Sequence, residues 1–528
     1  MTRWFNPGLL GKLLGQVVMA DLFGQYADRR LVHAALDSVP DQAVRERADL
    51  SAAPDPQAGD GEAVWIDYVA DLGDGFDATY AIASLLGAER LQVDGHDLPR
   101  GRALVMGGDE VYPTASYRAY KDRLVTPYAW ALPDREGAPH PSLFMIPGNH
   151  DWYDGLDSFL ALFCRRKPTA VGLWRTPQRR SYFAARLTGD LWLWGIDIAL
   201  TENMDQPQAD YFIAVAEAMP QGAGIILCIA EPGWYGADKK SASYRILTYA
   251  AKLAANAGRD LRIPLVLSGD THHYCRYAGD AGTHFITSGG GGAFLHGTHQ
   301  LKDAIAVDWM RGPPSTLSLR TGPGPDHPPV DERACYPTMA ESRALLGGNL
   351  RFPLLNWDFA LLLGGLFAVL AFPLTMAWRA DLGVGCVAVL VAGLVAYAAY
   401  QEPGRRLALA LAGGHGVVQG LALVGLAAAA RALDAAGPRL MDGPWWGWAA
   451  VLGLVMVSLG GLVSSALFGL NLYLTCRYAD LNHNDAFSAM RLDSHRHFLR
   501  IRITAAELTI YPVCLDRVPK RGDWVMEA

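Results

Sequence analysis

The sequence predicts an α/β domain followed by a set of membrane-spanning helices, and three observations predict it. Between residues 63 and 310, short apolar runs such as "WIDYV", "ALVM" and "IPLVL" alternate with helix-like stretches such as "DATYAIASLLGAERL" and "ASYRILTYAAKLAANAG". From Trp357 onward the chain turns into a succession of long apolar segments. Over all 528 residues, 51% are hydrophobic and 19% charged, a tilt that a purely soluble enzyme rarely needs and that lipid explains.

Residues 1–62 read as an N-terminal helical segment and a linker. The helical part is amphipathic and is expected to dock on the main domain, and "LSAAPDPQAGDGE" at 50–62 has the Pro, Gly and small residues of an exposed loop. An apolar run broken by Lys12 and Gln16, with no small-residue cleavage site, makes a poor signal peptide, so the first domain is expected to stay in the cytosol. The α/β domain occupies 63–310, and "RGPPSTLSLRTGPGPDHPP" opens a connector over 311–356. Four stretches in 357–476 reach the roughly 20 apolar residues that a helix needs to cross a bilayer: Trp357–Trp378, Leu382–Tyr400, Leu407–Ala430 and Trp445–Thr475. The tail, 477–528, alternates like two strands in "HFLRIRIT" and "ELTIYPVCL" and is expected to pack on the main domain's sheet or shield its edge.

Four crossings return the chain to its starting side. Arg343 and Arg351 precede the first span, Arg405 and Arg406 separate the second from the third, and Arg477 follows the fourth. By the positive-inside rule these flanks are cytoplasmic, with Arg379, Arg431 and Arg439 opposing them. The expected place is therefore the inner membrane, with the α/β domain and the C-terminus in the cytoplasm. His415 and Gln419 are polar groups inside a span and invite a transport function. Sparse ionisable groups there favour an anchor instead.

Charge and cysteine content exclude other classes. A net charge of -7 leaves no electrostatic footprint for DNA or RNA. Cys164, Cys228, Cys275, Cys335, Cys386, Cys476 and Cys514 are scattered, without the paired spacing of a zinc site or disulfide framework, which suits a reducing compartment.

The chemistry sits where apolar runs end. "WIDYVAD" ends at Asp71, "ALVMGGD" at Asp109, "GIILCIAE" at Glu231 and "IPLVLSGD" at Asp270, while "LFMIPGNHD" carries Asn149 and His150. A single acid in such a place is more simply a helix cap or a turn residue. Several at once, in a sheet whose carboxyl ends face one crevice, converge there. Uncompensated carboxylates brought together out of water cost several kcal/mol each, and a polyvalent cation is the simplest remedy. The glycines of "GGD", "PGNHD" and "SGD" would let the backbone turn tightly enough to aim the next side chain inward.

In this order the segments "DLG" at 71, "GDEVY" at 108, "GNHD" at 148, "AEPGWY" at 230 and "GDTHH" at 269 resemble the calcineurin-like metallophosphoesterases, and the site is most similar to that of purple acid phosphatases. The resemblance implies a metallophosphoesterase-type β-sandwich flanked by helices, holding two metal ions. It assigns Asp71, Asp109 and His272 to the first metal, Asp109 as a bridge, and Asn149 to the second. Tyr112 falls where purple acid phosphatases supply a phenolate to ferric iron; an ordinary packed aromatic bonded to a neighbour is the equal alternative. Glu231 stands where the family usually has a lone histidine and Asp270 where it has the first histidine of its G-H-x-H. Both departures fall on the second metal, and their hardness shifts preference from zinc towards iron, manganese or magnesium.

The implied reaction is hydrolysis of a phosphate mono- or diester by a metal-activated hydroxide, with His150 contacting phosphate and protonating the leaving oxygen. His273 either touches substrate or faces the other side of its strand. The glycines of "FITSGGGGAFLHGTH", near His296 and His299, are either a backbone rim around phosphate or a flexible loop. The expected partners are the bilayer and a phosphate ester, with a lipid-linked one invited by the membrane. A non-catalytic scaffold or phosphate-binding protein with an altered second metal site is the alternative.

Overall fold

The computed structural model describes residues 1–13, 15, 48–51, 63–198, 200, 204–280, 282–310, 314–320, 334–402, 404–437 and 439–520. Most of the N-terminal segment and linker, and the proline-rich part of the connector, lie outside the described residues. The chain forms two units: Met1–Thr2 with Leu13–Ser342 and Leu492–Ala528, and Arg3–Lys12 with Arg343–Arg491.

The first unit is mixed α/β with two large sheets. In one, the strands Val64–Val69, Ala103–Met106 and Ser142–Met145 run parallel, and their register aligns Val69 with Met106 and Met106 with Met145. In the other, Leu191–Ile196, Gly224–Ile229, Arg262–Ser268 and His284–Ser288 run parallel, aligning Ile196 with Ile229, Ile229 with Ser268 and Ser268 with Thr287. These strands read as largely apolar runs because both faces are buried. Alternation divides the faces: Ile66, Tyr68, Val105 and Phe144 join Trp192, Trp194, Ile226 and Val266 of the second sheet in one core. On the opposite face Trp65, Val69, Leu104, Met106, Leu143 and Met145 pack with Ile82, Leu86, Tyr128 and Phe159 from helical segments. Each such Ile, Leu or Phe, fully buried, contributes about 1.5–3 kcal/mol.

The tail completes the first sheet. Arg496–Ile503 pairs antiparallel with Val64–Val69, matching Leu499 to Tyr68 and Ile503 to Val64, and Leu508–Leu515 pairs outside it. Leu499, Ile501 and Ile503 enter the shared core. On the other face Arg500, fully buried, meets Asp67 at 2.7 and 3.1 Å and donates to the Leu98 carbonyl at 2.9 Å. Chain before and after the apolar helices thus belongs to one sheet, which requires an even number of crossings between them.

In the second unit, Trp357–Ala377, Ala380–Gln401, Arg406–Ala436 and Trp445–Tyr478 are long and apolar enough to cross a membrane, with mean hydropathies of 2.2, 2.3, 1.7 and 2.2. Gly416 and Gly420 let the second and third of these close: a Cβ there would stand 2.6 and 2.9 Å from the Cα atoms of Val391 and Val387. Gln419 Nε2 donates to the Ser464 carbonyl at 3.0 Å and lies 3.3 Å from His415 Nε2, while Gln419 Oε1 accepts from Ser464 Oγ at 2.9 Å. Those bonds satisfy polar groups inside the bundle. Arg3–Lys12, expected on the α/β domain, belong to this unit instead. The cause is aromatic: Phe5 lies 5.1 Å from Phe352, 5.2 Å from Phe359 and 5.9 Å from Phe468, ring centre to ring centre.

Candidate metal centre

Asp71, Asp109 and Asp270 lie just past the aligned strand ends and share one backbone conformation, with φ of 62°, 54° and 66°. Aspartate tolerates this left-handed region better than most residues, because its short side chain bonds locally. The aspartates therefore take part in the turn themselves, and in "GGD" Gly108, at φ 111°, turns as the glycines were expected to. Gly148 and Gly289 supply room. A Cβ on Gly148 would stand 2.2 Å from Asp109 Oδ1, and one on Gly289 would stand 2.3 Å from Asp71 Oδ2.

The Tyr112 hydroxyl sits among the ends so made. It lies 2.8 Å from Asp71 Oδ1, 3.1 Å from Asp109 Oδ2 and 2.9 Å from His272 Nε2. All four side chains are buried. The Asp270 N–H donates to Asp71 Oδ1 at 3.2 Å, and Asp270 is half-buried. The His150 N–H donates to Asp109 Oδ1 at 2.9 Å and to Asn149 Oδ1 at 3.0 Å, which sets the Asn149 carbonyl oxygen beside Asp109. His150 Nδ1 meets the Pro113 carbonyl at 2.7 Å, and its ring stands 4.3 Å from that of Tyr112.

Two predicted residues stand differently. Glu231 lies at the same sheet edge, one residue past Ala230, whose Cβ would be 2.9 Å from a Cβ on Gly108. His273 does not share its neighbour's direction: it is buried, with Nε2 3.5 Å from the Tyr235 hydroxyl, which itself bonds Cys275 and Thr287.

Electrostatics identify what the cluster needs. Burial pushes the Asp71 carboxyl well above the usual range, and Asp109 and Asp270 push it further. Burial, and after it Asp151, raises Asp109 to about 8. Burial, and after it Asp109, raises Asp270 to about 7. Asp71 Oδ2 is buried with no hydrogen-bond partner among the described residues. His272 is held well below its ordinary pKa by burial, and its Nδ1 meets the Phe294 carbonyl at 2.6 Å. Nδ1 must donate there, so Nε2 carries the lone pair and faces the acids. An orphaned carboxylate oxygen, mutually repelling acids and an imidazole locked in its accepting tautomer form a donor set that fits a hard cation.

Three further residues support the site: Asp151 in "GNHD", Glu110 in "GDEVY", and His296. Asp151 accepts from the N–H groups of Gly148 at 2.9 Å and Glu110 at 3.3 Å and from the Tyr120 hydroxyl at 2.5 Å, tying "GNHD" to "GGDE". Glu110 is fully buried, and burial with Asp151 raises its carboxyl well above the usual range. His296 stacks on His272 at 4.0 Å.

No family model matches the chain, and no curated protein matches it. Among solved structures the chain is similar to one titled "Structure of PhoD", at 8% identity and a TM-score of 0.30, over 44% of this chain and 58% of that one. A likeness that loose supports neither the fold nor the chemistry, which rest on the residues above.

Proposed function

We propose that this chain is a membrane-anchored, metal-dependent phosphoesterase on a metallophosphoesterase-type sandwich. The observation that carries the reading is the Tyr112 hydroxyl within 3.1 Å of Asp71, Asp109 and His272, in a buried set of acids that raise one another's pKa. Asp71, Asp109 and His272 would hold one ion, and Asp109, Asn149, Glu231 and Asp270 a second, with iron or manganese preferred by the oxygen-rich donors. Bound there, such ions would supply Lewis acidity towards phosphate oxygens and a more acidic water.

The chain's own groups do the rest. His272 presents Nε2 because the Phe294 carbonyl occupies Nδ1. Tyr112, raised well above its ordinary pKa by burial and then by Asp109, is a phenol beside those acids and would offer its oxygen to a bound cation. His150 is steered by the Pro113 carbonyl at its Nδ1, and its imidazole would receive or return a proton at the ester oxygen. Burial lowers the His150 pKa, and a phosphate anion alongside would raise it again.

The cytoplasmic face of an inner membrane is the proposed setting. Arg343, Arg351, Arg405, Arg406 and Arg477 at the helix ends support it, as does the sheet shared by residues on both sides of the helices. A lipid-linked phosphate ester is the proposed substrate class. Full-length protein in mild detergent, loaded with manganese or iron and offered p-nitrophenyl phosphate and bis-p-nitrophenyl phosphate, should hydrolyse at least one, and chelation should abolish it. Equal turnover before and after chelation would contradict the reading.

A further inference from the structure

The glycine-rich segment Gly289–Gly297 is clamped from both sides. Towards the acids, the Gly291 N–H donates to the Ala70 carbonyl and the Ala293 N–H to the Asp71 carbonyl, each at 2.9 Å, and the Phe294 carbonyl takes the Nδ1 proton of His272. The Phe294 N–H donates to Asp74 Oδ2 at 3.2 Å. From the other side comes the C-terminal tail: the His497 N–H donates to the Gly290 carbonyl at 3.2 Å, and the Leu295 N–H donates to the Leu492 carbonyl at 3.0 Å. A Cβ on Gly290 would collide with His497 Nδ1 at 2.3 Å, so this approach needs glycine.

Arg496 is the centre of that clamp. Its side chain is fully buried, yet its guanidinium serves backbone carbonyls: Nη1 donates to Ala293, and Nε and Nη2 donate to Ser494 at 3.1 and 2.8 Å. A buried guanidinium is costly unless its donors are used. Here one donor fixes the residue immediately before Phe294. Arg500, four residues along the same strand, spends its charge on Asp67 instead. The two arginines are equally buried and do different work.

We infer that Arg496 is a positioning residue for His272, fixing through Ala293 and Phe294 the tautomer and direction of the imidazole, so that the metal centre is completed by a strand made after the membrane helices. The inference rests on the metal-centre reading above. It places the strand Arg496–Ile503, beyond four apolar helices in sequence, in support of His272, 224 residues earlier. Truncation before Leu492 would therefore leave His272 without its brace even where the remaining sheet persists.

The test is Mn²⁺ binding by full-length protein in detergent, followed by titration calorimetry and by the Mn²⁺ electron paramagnetic resonance spectrum, for wild type, Arg496→Gln, Arg496→Lys and Arg500→Lys. All are measured below the lowest unfolding temperature of the set. Expected is a dissociation constant raised about 10-fold in Arg496→Gln, the lower end for residues that orient a metal-binding histidine, with a broadened spectrum. Arg496→Lys should fall between that and wild type, and Arg500→Lys should stay within about twofold of wild type despite its lower stability. Equal affinity in wild type and Arg496→Gln, or equal weakening by Arg500→Lys, would overturn the inference and leave the metal centre standing. Failure of both Arg496 variants to fold would assign the residue to folding and overturn it as well. Wild-type protein that takes up no Mn²⁺ would overturn the metal-centre reading and the inference together.

Discussion

The Tyr112 hydroxyl lies 2.9 Å from His272 Nε2, joining two residues 160 positions apart at the lone pair that faces the acids. Tyr112→Phe removes this hydroxyl and leaves the ring packing. Activity should fall at least tenfold, roughly the loss of one strong active-site hydrogen bond. If iron occupies the site, visible absorption from a phenolate ligand should vanish as well. Unchanged absorption together with lost activity would assign Tyr112 to hydrogen bonding alone.

Stability should depend on pH in a way that metal reverses. Asp109 and Asp270 titrate at about 8 and about 7 in the folded chain, against about 3.9 for an unfolded aspartate. A carboxyl raised on folding holds its proton in the native state, so its contribution is complete below about pH 4 and is lost as pH rises through the folded values. Chelated protein should therefore melt lower at pH 8 than at pH 5, by roughly 2–4 °C for each kcal/mol lost. Added Mn²⁺ should remove the difference. A melting temperature that rises between these pH values without metal would contradict the account.

Asp109→Asn should separate stability from function. Removing one of several repelling acids should raise the melting temperature of chelated protein while reducing turnover by more than about 100-fold, since the proposed bridge is gone. Thermal melts and steady-state rates on the same preparation check both signs.

Gly289→Ala places a Cβ 2.3 Å from Asp71 Oδ2. The backbone there cannot give way cheaply, because the same segment is bonded to Ala70 and Asp71. Activity should drop at least tenfold with only modest loss of stability, about 1–3 kcal/mol for an overpacked site. Denaturant melts with rates separate the two effects.

Arg500→Met would strand Asp67 as a buried charge and cost about 3–5 kcal/mol. The double variant Asp67→Leu/Arg500→Met should recover much of that loss, as measured by chemical denaturation. A chain ending at Ser342 should be less stable still, since the sheet would lose the strand matched to Val64–Val69.

Much of this was legible in the sequence, and the limits have physical causes. Apolar runs of parallel strands announce themselves because both faces are buried, and their aligned ends place Asp71, Asp109, Asn149 and Asp270 near one another. The apolar helices are legible by length alone. Partnership across the chain is not: "HFLRIRIT" alternates like a strand, but nothing local says that Arg500 will meet Asp67, 433 residues earlier. Nor does "GGD" reveal that Asp109 takes a left-handed conformation beside Gly108, because both residue types are turn formers. His272 and His273 look equivalent in "GDTHH", and only packing against Tyr235 and Tyr112 tells them apart.

Metal content per chain tests the central claim most directly, measured by elemental mass spectrometry on wild type and Asp109→Asn purified in mild detergent without added metal. Close to two equivalents of iron or manganese in wild type, falling to one or fewer in Asp109→Asn, is the predicted result. None in wild type, even after iron and manganese are offered, would mean that the buried acids around Tyr112 do not form a metal centre.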